Sequence, residues 1–89
     1  MYSYEIKPCL KDILKRLFKR NRVLYEQVLK KIEEVANSDN IEHYKNLKYN
    51  MKDYKRVHVG HFVLVFSFDK TKQIISFDDF DHHDKIYQK

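Results

Sequence analysis

Seven consecutive residues, Phe62-Val63-Leu64-Val65-Phe66-Ser67-Phe68, are apolar at every position but one. A run this short, made of aromatic and β-branched residues and apolar on nearly both faces, reads as a strand in the middle of a sheet. The rest of the chain must supply its neighbours and a layer to pack on it.

The segment just before it alternates. Tyr54, Arg56 and His58 point one way and Lys55, Val57 and Val59 the other, a half-polar strand, and Gly60 supports a tight hairpin turn into the apolar run. After it, "DKTK" is a second turn leading into "QIISFDDF". Near the start, "YSYEIK" over residues 2–7 reads as a strand ended by Pro8, which suits the first turn of a helix.

Between these strands the period becomes helical. Leu10, Ile13, Leu14, Leu17 and Phe18 form one stripe, with Lys11, Lys15, Arg16, Lys19 and Arg20 on the remaining surface. Asn21 is a candidate N-cap for a second helix carrying Leu24, Val28, Ile32 and Val35, with Glu26 four residues before Lys30, and "NSDN" ends it. Residues 41–53 read as a polar connecting loop with Leu47 as an anchor. The expected fold is therefore α+β, in the order β-α-α-β-β-β, an antiparallel sheet with the N-terminal helical hairpin packed on one face.

The chain has 89 residues, enough for one domain over 1–89 with a thin core. Seven Tyr and six Phe must supply much of its burial. The single cysteine, Cys9, has no second thiol to pair with and reads as a small buried apolar side chain in a protein of a reducing cytosol. No stretch approaches the roughly 18 apolar residues of a membrane span, and the N-terminus lacks the pattern of a signal peptide. A cytoplasmic protein with no membrane contact is expected.

The formal net charge is +5, which attracts polyanions. Residues 7–31 carry nine Lys or Arg against Asp12 and Glu26, a run that a solvated helix face would also explain. Residues 45–56 carry Lys45, Lys48, Lys52, Lys55 and Arg56 against Asp53, alternating with Tyr44, Tyr49 and Tyr54. Cations for phosphates beside rings for unpaired bases suit contact with nucleic acid; the same tyrosines would also serve as packing residues.

The acids gather late, in Phe77-Asp78-Asp79-Phe80-Asp81-His82-His83-Asp84-Lys85-Ile86-Tyr87. As a metal site this run is poor, because adjacent histidines on an extended chain point to opposite faces and no cysteines support them. Neither metal nor cofactor is expected. As an acid/base site it is better: a histidine titrates near neutrality, and Tyr87 adds a hydroxyl or a ring. Two exposed histidines of no consequence remain the alternative.

Order of elements and residues together resemble the RelE/ParE superfamily of small toxins from type II toxin–antitoxin pairs, more closely its RelE side. Three stretches carry the likeness: "NLKYNMKDYKRVHVGHFVLVF", the ending "IISFDDFDHHDKIY", and the preceding strand and helical hairpin. The resemblance implies a RelE-like, microbial ribonuclease-type fold and a metal-independent endoribonuclease. Such a toxin cuts messenger RNA in the decoding site of the ribosome by attack of the 2′-hydroxyl on the adjacent phosphate. It also implies a RelB-like antitoxin as partner, in an assembly such as a heterotetramer. By the same resemblance, Arg56, His58, His83, Tyr87 and Lys52 are the catalytic candidates, and Lys48, Lys55 and His82 the candidates for holding RNA phosphates. Where many relatives have an arginine on the apolar strand, this chain has Val63. Two alternatives stay open, a ParE-like inhibitor of a type II topoisomerase and a non-catalytic protein that binds RNA or its antitoxin.

Overall fold

A computed structural model describes residues 2–46 and 54–86. Strand β1 (Ser3–Ile6) leads through Lys7 into helix α1 (Pro8–Arg20) and helix α2 (Arg22–Ala36); a 3-10 turn at Ile41–His43 follows. Strands β2 (Tyr54–Val59), β3 (Phe62–Asp69) and β4 (Ile74–His82) come next, and the four-residue helix α3 (His83–Ile86) closes the described chain.

Local chemistry accounts for the boundaries. Pro8 occupies the first turn of α1, where its missing N–H costs nothing, and Lys19 and Arg20 sit in the last turn against the negative end of the helix dipole. Asn21 accepts a hydrogen bond at 3.2 Å from the Leu24 N–H, capping α2 as its residue type suggests. Gly60 adopts φ +61°, the left-handed region that glycine enters without a Cβ penalty, and turns β2 into β3.

The four strands lie in the order β1-β4-β3-β2, so the apolar run of β3 is interior, as its composition requires. Strands β2, β3 and β4 pair antiparallel, whereas β1 joins the far side of β4 in parallel, Ser3 opposite Ile74 and Ile6 opposite Phe77. The sheet is thus mixed rather than wholly antiparallel. With the helical hairpin interposed, β1 can enter in the same direction as the last strand, a pairing that needs a long crossover.

One face of the sheet takes the helices. Leu10, Leu14, Val28, Ile32 and Val35 from the hairpin meet Val59, Leu64, Phe66, Ile75, Phe77 and Phe80 from the strands in the main core, with Ile41 closing one end. Phe18, expected in the α1 stripe, lies at its margin and is 46% exposed. It packs edge-on against Tyr25, ring centroids 5.2 Å apart, with the Arg22 guanidinium 3.7 Å from its ring centre. Cys9 is exposed, not buried, with its thiol 3.9 Å from Asp79 Oδ1; as the second residue of α1 it falls outside the buried stripe.

The opposite face carries a second, smaller cluster in which Ile86 of α3 covers Val63 and Val65. Among the described residues no helix is long and apolar enough to cross a membrane.

Candidate functional site

Register determines what faces this second side. Paired residues on neighbouring strands share a face. Arg56 lies opposite Val65, which lies opposite Asp79; in the next row His58 lies opposite Val63, which lies opposite Asp81. A basic edge on β2 and an acidic edge on β4 therefore flank a strip of valines, and α3 lies over the strip.

Strict alternation would not have produced this arrangement. From Ile75 and Phe77 a period of two would send Asp79 and Asp81 into the helix-covered core and Phe80 out. The register slips between Val65 and Phe66, leaving Asp78 as an extra residue between Phe77 and Asp79. This bulge returns Phe80 to the core and turns both carboxylates to the open face. The extra residue is itself half-buried: Ser67 Oγ lies 3.3 Å from Asp78 Oδ2, and burial raises the Asp78 carboxyl above the usual carboxylate range.

At the turn end of the sheet four imidazoles gather. His58 and His83 stack with ring centroids 5.7 Å apart and 22° between planes, and His61 and His82 stack at 6.5 Å and 21°. The His83 N–H donates to the His61 carbonyl at 3.0 Å, tying the β2–β3 turn to the start of α3. Asp84 lies 3.6 Å from His83 Nδ1 and 3.9 Å from His82 Nδ1. These side chains and Gly60 line a cleft of about 280 Å³. Among the described residues, no three His, Cys, Asp or Glu side chains converge to hold a metal ion.

His58 is perturbed by its surroundings. Partial burial, then the Arg56 charge, then His83 hold His58 below its ordinary 6.5, which favours its neutral, proton-accepting form. A neighbour that favours the neutral form of its partner is how a pair divides acid and base duties.

The structure gathers His58, His82 and His83 around the cleft at the turn end of the sheet, with Arg56 one alternation along β2 on the face of His58, whereas His82 pairs with Phe62 and lies on the other side of its strand. Lys55 is not with them. It alternates onto the other face of β2, where its ammonium donates to the Tyr44 carbonyl at 3.2 Å and to Asn46 Oδ1 at 3.1 Å, fastening residues 44–46 to the strand. Lys48, Lys52 and Tyr87, together with the proposed anchor Leu47 and Tyr49, lie outside the described residues. His61, which as a turn histidine reads from sequence as a residue without a role, and Asp84 also line the cleft, where the packing of the turn against α3 brings them. Val63, where the resemblance leads one to expect an arginine, is fully buried beneath Ile86, so a cation there would have to displace α3.

Comparison with known proteins gives a consistent result. A family profile described as "ParE toxin of type II toxin-antitoxin system, parDE" matches residues 4–87. A protein of Methanocaldococcus jannaschii named "Putative toxin RelE4" is 48% identical over 90 residues, spanning all of this chain and 94% of that protein. Among solved structures, the isolated E. coli RelE toxin superposes with a TM-score of 0.70 at 21% identity, covering 92% of this chain and 84% of that one. The RelBE2 toxin–antitoxin complex of Mycobacterium tuberculosis contains a chain with a TM-score of 0.62 at 17% identity, covering 92% and 98%. At such identities the two structures speak for the fold.

Proposed function

The chain belongs to the RelE/ParE superfamily of toxins from type II toxin–antitoxin pairs, and from that premise we propose that it is a ribosome-dependent endoribonuclease that cuts messenger RNA in the decoding site. The observation that carries this reading is the His58–His83 stack on an open sheet face, one alternation from Arg56 on the same strand. A protein that acts by docking alone has no use for an imidazole held toward its proton-accepting form with a second imidazole stacked on it.

The reaction asks for three things. Neutral His58 takes the proton from the 2′-hydroxyl, whose oxygen attacks the adjacent phosphorus; a protonated His83 gives its proton to the departing 5′-oxygen. The products are a 2′,3′-cyclic phosphate and a free 5′-hydroxyl, with no metal in the proton path. Arg56 balances the charge that builds on the phosphorane, helped by Lys52 and Lys48 from the preceding segment, and Tyr87 stacks on a base. His82, stacked on His61, lies at the rim as a phosphate contact. A RelB-like antitoxin neutralises the toxin by covering this surface.

Primer extension on messenger RNA in programmed ribosomes, beside the same RNA free in solution, tests the reading. Cuts confined to the decoding-site codon and absent from free RNA are expected; a folded protein that produces none would overturn it. The family profile's ParE description favours a second reading, inhibition of a type II topoisomerase by binding. A supercoiling assay with purified enzyme separates the two.

A further inference from the structure

The histidine cleft does not end at the sheet. A second cleft of about 510 Å³ opens on the other side of the β2–β3 turn, lined by Gln27, Lys30, Lys31 and Glu34 of α2 and by His58, Val59 and Gly60. The two clefts share His58 and Gly60, so they meet at the imidazole to which the chemistry is assigned. We propose that Lys30 and Lys31 form a second phosphate-binding site, which holds the single-stranded RNA on one flank of the scissile bond as it passes over Gly60. The inference rests on the nuclease reading for its substrate and extends the site to a helix that no part of that reading uses.

Three observations support it. Gln27, Lys30, Lys31 and Glu34 fall at i, i+3, i+4 and i+7, one polar stripe of α2, while Val28, Ile32 and Val35 face the core. The stripe therefore faces the cleft because the core fixes the helix's rotation. Glu34 Oε2 pairs with Lys31 Nζ at 2.6 Å, which orients that lysine and offsets its charge. Lys30 has no carboxylate in ion-pair contact among the described residues, leaving a net positive cleft with the Gln27 amide as a further donor. Finally, Gly60 is the chain's only glycine, and a Cβ placed there would meet nothing within 4 Å. The saddle between the clefts is thus open ground for a sugar-phosphate backbone.

The test is binding, kept apart from cleavage. A fluorescent 2′-O-methylated single strand of about twelve nucleotides, within the roughly 4–16 that such sites span, cannot be cut whatever the enzyme does. Its affinity is followed against salt by anisotropy for the wild type, for Lys30→Gln/Lys31→Gln, and for Lys11→Gln/Lys15→Gln on α1 as a charge-matched control. Loss of two phosphate contacts should weaken binding and flatten the slope of log K against log salt by about 1.4, at roughly 0.7 per contact for single strands. The control should change neither beyond a small shift. Equal losses in both variants would reduce the effect to net charge and overturn the proposal. So would unchanged oligonucleotide binding with weaker co-sedimentation on ribosomes, which would assign the lysines to ribosomal RNA. A wild type that binds the strand but never cuts unmodified messenger RNA in programmed ribosomes would sink the nuclease reading and leave this measurement readable.

Discussion

His58 stands at the meeting point of both clefts, and its chemistry can be read from pH. Burial, Arg56 and His83 lower its pKa below 6.5, so the neutral base persists into mildly acid solution and is lost only as pH falls through the lowered value. The acid limb of single-turnover cleavage should therefore have its midpoint below 6.5, and should move up toward 6.5 in Arg56→Gln when the rate is followed relative to that variant's own maximum. A wild-type midpoint at or above 6.5 would remove His58 from the role of base. For stability the sign is parallel: neutral His58 contributes fully above 6.5 and progressively less as pH falls through the folded value, a small effect because the ring is largely exposed. The outward pointing of Arg56 and His58 was legible in the sequence, because Val57 between them and Val59 after them pack on the core and a strand alternates. The same alternation assigns Lys55 to the opposite face, and the structure follows the pattern rather than the residue's charge.

Among the described residues helix α3 spans four positions, too few to hold themselves together, and it is kept in place by the hydrogen bond from the His83 N–H to His61 and by the side chain of Ile86. Ile86 is 3% exposed and seals Val63 and Val65, and the helix so positioned brings His83 against His58. Ile86→Ala should cost about 2 kcal/mol, the low end for a buried Ile, because this small cluster sits at the molecule's margin. Cleavage should fall further than that loss of stability explains, and hydrogen exchange should quicken over residues 83–86 while β3 stays protected. Full activity with α3 demonstrably released would show that His83 is not held for chemistry. No periodicity announces an element this short. The bulge at Asp78 is equally silent in the sequence, and the parallel entry of β1 is fixed by sheet closure and not by any feature of "YSYEIK". By contrast, the hairpin helices, the Asn21 cap, the Gly60 turn and the central place of β3 follow directly from spacing and residue type.

At the scale of the molecule, one sheet does two jobs. Its helix-covered face supplies the main core, and its other face supports a basic edge, an acidic edge and an apolar strip that α3 covers. Membership in the toxin superfamily brings with it an antitoxin partner, and the face with most charge and least cover is the one the catalytic reading needs. The central claim is that His58 and His83 move protons on that face. It is tested most directly by single-turnover cleavage of messenger RNA in programmed ribosomes, comparing the wild type with His58→Ala/His83→Ala. Neither ring is buried, so the variant should fold and melt like the wild type, yet cut at least about 100-fold more slowly, the lower bound for loss of positioned acid–base groups. Undiminished cleavage at the decoding-site codon by the folded double variant would contradict the account.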